Sequence, residues 1–310
     1  MISPRRTRVR TLLALFTVVL AVGGSATAGD AIRAAASTAK IIFVDVGQGD
    51  GVVLKVADKI IVSDAGEAGK AGTMHAALNA VGANKKIHVA ILSHGHDDHV
   101  GGFERLLEQF GYDIEVAVLS ENVHWSRTKT NRKLLAALDK HEVTIKWVKD
   151  GFSWGGGAWK VLSPPGNAFL KDGDVENSSV VVLLTTNGKK ILFTGDIKEQ
   201  ASAALAQGWS DGTVDVFFVT HHGSGAGSPD SLLEKIKPQF AVLSARSSKI
   251  FAASTASRLK SNVGAAIYCT DTNGTITATI AADEITWSTS KPGPPWWTKA
   301  SGQTAACAGR

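Results

Sequence analysis

Short apolar runs alternate with polar, glycine-bounded segments along most of the chain, and this pattern predicts a fold that mixes strands with helices. KIIFVDVGQGD (40–50) and GVVLKVADKIIVSDAG (51–66) are rich in Val and Ile, which is typical of strands separated by Gly and Asp turns. GKAGTMHAALNAVGA (69–83) has apolar residues at helical spacing and ends at glycine, so it predicts a helix.

The same alternation continues to residue 288. SSVVVLLTTNGKKILFTGD (178–196) predicts a hairpin that turns at Asn187-Gly188. Further strands are predicted at HVAILS, IEVAVLS, VTIKWV, WKVLSP, VDVFFVT and FAVLSA, with helices between them and a closing hairpin. Two strand-and-helix halves with antiparallel hairpins predict two sheets packed face to face, with helices outside. We therefore expect one domain over residues 40–288.

The first 28 residues have a different pattern. The basic SPRRTRVR precedes the apolar TLLALFTVVLAVGG, and Ala26-Thr27-Ala28 fits the small-x-small rule for cleavage. The apolar run is short for a membrane span. We predict a signal peptide over residues 1–28 and a secreted or extracytoplasmic protein that has no stable membrane insertion after cleavage. An uncleaved N-terminal anchor is the alternative.

Charge and cysteine content exclude some classes. The formal charge is +5, but the first 28 residues contain four arginines and no acid, so the remainder is nearly neutral. Bulk charge therefore gives no argument for a nucleic-acid partner. The two cysteines, Cys269 and Cys307, exclude a disulfide scaffold but leave one pairing open. Residues 289–310 are rich in Pro, Gly and Ala and are predicted to be a flexible tail.

The segment LSHGHDDHVGG (92–102) carries the most distinctive chemistry. A predicted buried strand ends here and a helix follows, so His94, His96, Asp98 and His99 are held at the rim of a sheet. Imidazole and carboxylate ligands together suit zinc, manganese or iron. The structural alternative is a polar turn in which Asp97 or Asp98 caps the helix.

Two later strands end in residues of the same kind. ILFTGD ends in Asp196, and VDVFFVTHHGS ends in His221, His222 and Ser224. Asp196 alone would also suit a turn or a helix cap. Three strand ends that carry His and Asp together predict a metal site.

These motifs, in this order, resemble those of the metallo-β-lactamase superfamily. FVDVGQGDGVVL, ILSHGHDDHVGG, NSSVVVLL, ILFTGD and VTHHGS are similar in particular to the metallo-hydrolase domain of ComEC-type DNA-uptake proteins, over residues 40–285. The resemblance implies an α/β fold, a four-layer αββα sandwich, with two divalent ions, zinc or manganese, at one edge of the sheets.

The resemblance also implies the ligands. The candidates are His94, His96, Asp98, His99, Asp196, His221 and His222. The first two would bind one ion, and Asp98 and His99 the other. Asp196 would bridge the ions, and one of the two adjacent histidines would complete the second site. Asp98, Asp196 and His222 are the candidate catalytic residues.

Other residues are expected to support the site, among them Asn177 and Ser178. Asp64 matches the position of an aspartate that orients the histidine loop in that superfamily. Asp45 and Asp50 are candidates for shaping the loop, with ordinary turn aspartates as the alternative. His222 or Ser224 would bind a substrate oxygen or protonate the leaving group.

The chain departs from the superfamily pattern at one ligand. Many members carry a further histidine between the first motif and the bridging aspartate, where this chain has Asn177-Ser178-Ser179. His124 and His141 lie too early to fill the place. One ion would then be held weakly, or would be a metal that accepts oxygen ligands, such as manganese.

Two metals would generate a bridging hydroxide that attacks an electrophilic centre. The substrate is expected to be chosen by loop 121–133, in which Trp125 would stack on a base while basic residues contact phosphates. These basic residues are Arg127, Lys129, Arg132 and Lys133. A solvated helix start is the alternative for this loop.

The leading hypothesis is an exported metal-dependent phosphodiesterase or nuclease that acts on extracellular DNA or RNA. The alternatives are a hydrolase of another ester or an amide, including a β-lactam, and a low-turnover accessory of a DNA-uptake or envelope complex. The sequence gives no indication of a protein partner.

Overall fold

Two eight-stranded sheets form the centre of the protein in the computed structural model. The structure describes residues 38–121, 123, 125–148, 153–154, 158–162, 175–245, 251–282 and 284–299. The predicted signal peptide lies outside these residues.

The first sheet has the strand order β15-β14-β1-β2-β3-β4-β5-β6. Its strands are β1 (Ala39–Phe43), β2 (Gly51–Val56), β3 (Lys59–Ala65), β4 (Lys86–Leu92), β5 (Asp113–Ser120), β6 (Thr144–Val148), β14 (Ile276–Ile280) and β15 (Ile285–Thr289). The pairs from β3 to β6 are parallel and the others are antiparallel.

The second sheet has the order β16-β13-β12-β11-β10-β9-β8-β7. Its strands are β7 (Ser153–Trp154), β8 (Trp159–Val161), β9 (Val182–Thr186), β10 (Lys189–Phe193), β11 (Val216–Phe218), β12 (Phe240–Leu243), β13 (Ala266–Cys269) and β16 (Trp297–Thr298). The pairs from β10 to β13 are parallel. The predicted hairpin is β9–β10, and Asn187 and Gly188 at its turn both have positive φ.

Helices cover the outer faces of both sheets. They are α1 (Ala71–Ala80), α2 (Asp97–Glu108), α3 (Lys129–Lys140), α4 (Glu199–Gly208), α5 (Asp230–Ile236), α6 (Ala253–Asn262) and α7 (Thr270–Asn273). Short 3-10 helices occur at Ala68–Lys70, Glu176–Ser178 and Thr220–Gly223.

The alternation of apolar residues explains this layering. In β1, Ile41 and Phe43 point into the core between the sheets, whereas Ile42 points to the core under α1 to α3. In β10, Ile191 belongs to the inter-sheet core and Leu192 to a third core under α4 to α6. Successive side chains of a strand face opposite sides, so a strand that is apolar on both faces needs cover on both. The predicted αββα sandwich is the observed fold.

The parallel strands place the candidate motifs at one edge. The histidine motif follows β4, Asp196 follows β10, and His221 and His222 follow β11. The carboxyl ends of parallel strands lie at a common edge of their sheet, where ligands bind in open α/β sheets. The two sheets contribute these loops to the same place.

The predicted boundary at residue 288 lies too early. Trp297 pairs with Ile267 of β13, and both Trp296 and Trp297 are buried against the second sheet. Two adjacent indoles bury enough apolar surface to hold the segment on the domain. The Pro and Gly content of the segment led to the prediction of a flexible tail instead. Residues 300–310 lie outside the described part of the chain.

Cys269 is buried at the end of β13 and is disulfide-bonded. Cys307 lies outside the described residues. Within the described ranges, no helix is both long and apolar enough to span a bilayer.

Candidate metal centre

Asp196 lies at the centre of a buried group of histidines. Its Oδ2 atom is 3.3 Å from Nε2 of both His99 and His222. The same oxygen is 3.9 Å from Nε2 of His94 and 3.8 Å from Nε2 of His221. Two strand ends, one from each sheet, therefore direct four imidazoles at one carboxylate oxygen that a third strand end supplies.

Asp64 and Ser93 fix the orientation of two of these rings. Asp64, in β3, accepts hydrogen bonds from the Ser93 backbone N–H at 2.8 Å and from Ser93 Oγ at 2.6 Å. Its Oδ2 atom is also 2.8 Å from Nδ1 of His99. Because the Ser93 hydroxyl donates its proton to Asp64, it can only accept from His94 Nδ1, 3.0 Å away. Both rings thus present Nε2 to the centre.

Asp50 faces His222 at ion-pair distance. Its Oδ1 atom is 3.3 Å from Nδ1 of His222, on the side of the ring opposite to Asp196. His222 Nε2 is 3.2 Å from Nε2 of His99 and 3.8 Å from Oδ2 of Asp98. The geometry thus places His222 inside the centre, while His221 is 22% exposed and lies at its mouth.

His96 and Asp98 lie nearer to solvent than the buried group. Their side chains are 41% and 30% exposed. The His96 ring is 4.7 Å from the ring of His94, and its Nδ1 is 3.9 Å from Oε1 of Glu176. All seven predicted ligands are therefore brought together.

Burial and charge act in opposite directions in this centre. Burial drives the pKa of His94 well below its ordinary value. Burial also disfavours protonated His99 and His222, but neighbouring carboxylates, Asp196 foremost, outweigh it. They hold the pKa of His99 well above its usual range and raise that of His222 to about 10. Burial acts to raise the pKa of Asp196, but His222 and His99 together hold it well below the usual carboxyl range.

Unusual backbone conformations cluster here. Asp64, His221 and His222 have φ of 52°, 49° and 51°, in the left-handed region that non-glycine residues rarely adopt. Gly49 has φ of 105°, and a Cβ there would lie 1.9 Å from the carbonyl oxygen of Asp98. Strain of this kind persists only where the surrounding structure holds it, and it concentrates at functional sites.

The donor set fits divalent cations. Asp50, His99, Asp196 and His222 offer ligand atoms within 4.8 Å of one another. His94 Nε2 and Asp196 Oδ1 are buried and have no hydrogen-bond partner among the residues that the structure describes. Buried polar atoms rarely stay unpaired, so two that face a common centre mark a place for a cation. Asp50 contacts the outer edge of His222, and we assign it to orienting that ring.

The other predicted supporting residues have mixed positions. Asp45 pairs with Lys291 at 3.3 Å, and no contact with the centre is found among the described residues. Asn177 Oδ1 accepts a hydrogen bond from the backbone N–H of Lys198, and Ser178 is buried in the same 3-10 helix. Ser224, two residues after His222, has a buried Oγ for which the described ranges contain no hydrogen-bond partner.

The prediction that Trp125 stacks on a base is wrong. Its ring is 4% exposed in the core under α2 and α3, and its Nε1 donates to the carbonyl of Ser120. An indole that fills a core cannot also offer a face to a ligand.

The basic residues of the same loop are exposed. Arg127 and Lys129 are exposed, as is Lys133. Arg132 is exposed too, but its Nη1 donates to the carbonyls of Ser126 and Arg127, so it also holds the loop.

Sequence reasoning missed several residues that build the centre. Asn131 lies against the turn between the first two histidines, since a Cβ on Gly95 would be 2.5 Å from its Nδ2. Arg258 donates to the carbonyls of Gly225, Gly227 and Ser228 and thereby holds the loop after His222. Neither residue belongs to a motif, so only the fold shows its role.

Comparison with known proteins agrees with this geometry. A family model described as the metallo-beta-lactamase superfamily matches residues 44–246. Recombination protein 2 of Haemophilus influenzae is 28% identical over 67% of this chain and 24% of its own length. ComE operon protein 3 of Bacillus subtilis is 26% identical over 52% of this chain and 20% of its own. Competence protein ComA of Neisseria gonorrhoeae is 24% identical over 66% and 27%.

Solved structures are also similar to the chain. The metallo-beta-lactamase fold protein YhfI of Bacillus subtilis matches with a TM-score of 0.49 and 12% identity, over 75% of this chain and 96% of that one. A metallo-β-lactamase of Cronobacter sakazakii matches with a TM-score of 0.39 and 19% identity, over 56% and 75%. The chain spans only about a quarter of the length of the curated relatives.

Proposed function

Because the chain belongs to the metallo-β-lactamase superfamily, we propose that it is a metal-dependent hydrolase that cleaves phosphodiester bonds of DNA or RNA outside the cytoplasm. The observation that carries the proposal is the convergence of buried Nε2 atoms on Asp196 Oδ2. A structural role would not require buried rings held in one orientation with their Nε2 atoms facing a common point.

The residues divide into two ligand groups that share Asp196. His94 and His96 would hold one ion, and Asp98, His99 and His222 the other. When bound, the ions would supply Lewis-acid chemistry, acidifying water and withdrawing charge from the scissile centre.

The remaining side chains of the centre hold its geometry or face the substrate. Asp64 and Asp50 keep His99 and His222 with Nδ1 outward, so that Nε2 faces inward. His221 lies at the mouth, partly exposed and 3.8 Å from Asp196, where it can hold a substrate oxygen. His222 is enclosed by Asp50 and Asp196, so we assign it to metal binding rather than to proton transfer with substrate.

Two observations support nucleic acid as the substrate. One relative is named a recombination protein and another a competence protein. In this chain the start of α3 presents exposed Arg127 and Lys129, and Asn131 of the same turn lies against Gly95 between His94 and His96. Positive charge beside the centre suits contact with a phosphate backbone.

The location outside the cytoplasm rests on the sequence of residues 1–28, which has the three parts of a signal peptide. N-terminal sequencing of the secreted protein, which we expect to begin near Gly29, tests this part of the proposal.

The activity is tested with purified protein loaded with zinc or manganese. We expect hydrolysis of single-stranded DNA and of a small phosphodiester, and slower or no hydrolysis of a β-lactam. Asp196→Asn should lower metal content and reduce turnover by at least about 100-fold, because it removes the charge shared by both ligand groups. Asp139→Asn, an exposed aspartate on α3, is the matched control. Fast β-lactam hydrolysis without DNA cleavage would contradict the proposed substrate.

A further inference from the structure

One carboxylate faces the centre from a segment that the ligand motifs do not include. Glu176 begins the 3-10 helix that precedes β9, and its Oε1 is 3.9 Å from Nδ1 of His96. The side chain of Glu176 is only 18% exposed. It lies beside His96, whose ring is 4.7 Å from the ring of His94.

The backbone around Glu176 is tied to the centre at three points. Ser179 Oγ donates to the carbonyl of Glu176 at 2.7 Å and accepts from the backbone N–H of Asp196 at 3.3 Å. The next residue, Val180, donates its N–H to the carbonyl of Ser93 at 2.8 Å. The Glu176 side chain therefore starts from a fixed position relative to both Asp196 and the histidine motif.

Lys198 orients the carboxylate. Its Nζ is 3.2 Å from Oε2 of Glu176, which leaves Oε1 directed at His96. The backbone N–H of Lys198 also donates to Oδ1 of Asn177. The ion pair of Glu176 and Lys198 therefore connects this 3-10 helix to the segment that follows Asp196.

We propose that Glu176 is a metal ligand, supplying an oxygen to the ion that His94 and His96 would hold and shifting the relative affinity of that position toward manganese. The inference rests on the proposed two-metal site and extends it with a residue and a metal preference.

The distances and the donor chemistry agree with this assignment. Ligand atoms about 2.0–2.2 Å from one ion lie about 3–4.2 Å from each other, depending on the angle. The 3.9 Å between His96 and Glu176 falls in this range, as does the 3.9 Å between His94 and Asp196. His94 Nε2 is fully buried and has no hydrogen-bond partner in the described part of the chain, so its lone pair is available to a metal ion on this side.

Two carboxylates and two imidazoles form a mixed set of donors. Carboxylate oxygens suit manganese, whereas added imidazole favours zinc. A carboxylate at residue 176 should therefore shift the preference of this position toward manganese, and an imidazole should shift it back.

The test measures metal binding directly. Metal-stripped wild type, Glu176→Gln and Glu176→His are titrated with Mn²⁺ and with Zn²⁺ by calorimetry, and bound metal is counted by elemental analysis. We expect wild type to bind two Mn²⁺ ions. Glu176→Gln should weaken the binding of one of them by at least about tenfold, the smallest loss of affinity typical even for removing a residue that only orients a metal ligand. Glu176→His should bind two Zn²⁺ ions, with its Mn²⁺-to-Zn²⁺ affinity ratio lowered at least tenfold. Glu199→Gln, an exposed neighbour in α4, should behave as wild type.

Circular dichroism of the metal-free variants verifies that they fold. If Glu176→Gln does not fold, Glu176→His still tests the inference through its ratio of Mn²⁺ to Zn²⁺ affinity. Unchanged Mn²⁺ binding in Glu176→Gln would overturn the inference, as would a wild type that binds one ion or none. Phosphodiester hydrolysis by wild type is measured in parallel. If the protein binds two ions, one of them through Glu176, but cleaves no phosphodiester, the proposed function fails and the inference stands.

Discussion

At the scale of single residues, protons and metal ions compete for the same histidine nitrogens in the metal centre. In the metal-free protein, the carboxylates Asp196 and Asp50 raise the pKa of His222 to about 10, and Asp196 and Asp64 raise that of His99 well above its usual value. A cation bound to the Nε2 atoms must displace these protons. Metal binding and protonation should thus oppose each other.

This competition predicts a pH dependence. A histidine whose folded pKa is raised stabilises the fold below its unfolded pKa, about 6.5, and that contribution is lost as pH rises toward the folded pKa. Metal-free protein should therefore lose thermal stability between pH 6.5 and about 10. Over the same range, the gain in melting temperature on adding metal should increase, because fewer protons remain to be displaced.

Thermal unfolding of EDTA-treated and metal-loaded protein across this range measures the effect. His222→Asn should flatten the curve of the metal-free form, whereas His141→Asn, which changes a histidine paired with Glu108 at the surface, should not. A metal-free wild type equally stable at pH 6.5 and pH 10 would contradict the argument.

At the scale of elements, the start of α3 is the part of the predicted substrate loop that we propose to contact nucleic acid. Thr128 caps the helix by accepting from the backbone N–H of Asn131. Trp125 anchors the preceding loop in the core, so it supports the basic residues instead of contacting a base. Arg132 also supports the loop, which leaves Arg127 and Lys129 as the residues to test.

Arg127→Ala combined with Lys129→Ala should raise KM for single-stranded DNA and leave hydrolysis of a small phosphodiester nearly unchanged, because the metal ligands are untouched. Loss of two phosphate contacts should also lower the slope of log affinity against log salt by about 1.4 on a single strand. The measurement is DNA cleavage and binding over a series of salt concentrations.

Lys235→Ala combined with Lys299→Ala is a matched control, since both are exposed and lie near the amino ends of β12 and β13, at the opposite edge of the sheet. Equal losses on DNA and on the small substrate would assign the loop to the fold or to the metal centre.

At the scale of the whole molecule, the segment after β15 links the far end of the chain to the centre. Trp296 packs edge-on against Phe251, with ring centroids 5.0 Å apart. Phe251 in turn lies against Gly223, where a Cβ would come within 2.5 Å of the Phe251 ring. Gly223 follows His222 directly, so the segment supports the strained histidine loop through two packed side chains.

Trp296→Ala should destabilise the protein by about 3 kcal/mol, the lower end for removing a buried indole. Chemical denaturation at equilibrium gives the value. Trp147→Ala is the control, because this indole is 49% exposed and its loss should cost far less. Similar midpoints for the two variants would show that the segment is only loosely attached.

The sequence by itself determined the layers of the fold and the identity of the ligand-bearing strand ends. Apolar alternation in strands such as β1 and β10 requires cover on both faces, and that requirement is written in local composition. His94, Asp196 and His222 were identified because each follows an apolar strand, which is also a local signal.

Only the tertiary structure decided which side chains meet. It separated His222 from His221 through the position of Asp50, and it moved Trp125 from the binding surface into the core. It also brought Glu176 to His96 from far along the chain. The physical reason is that strand and helix periods report burial of one segment at a time, whereas contacts between segments depend on how the two sheets pack and where their loops cross.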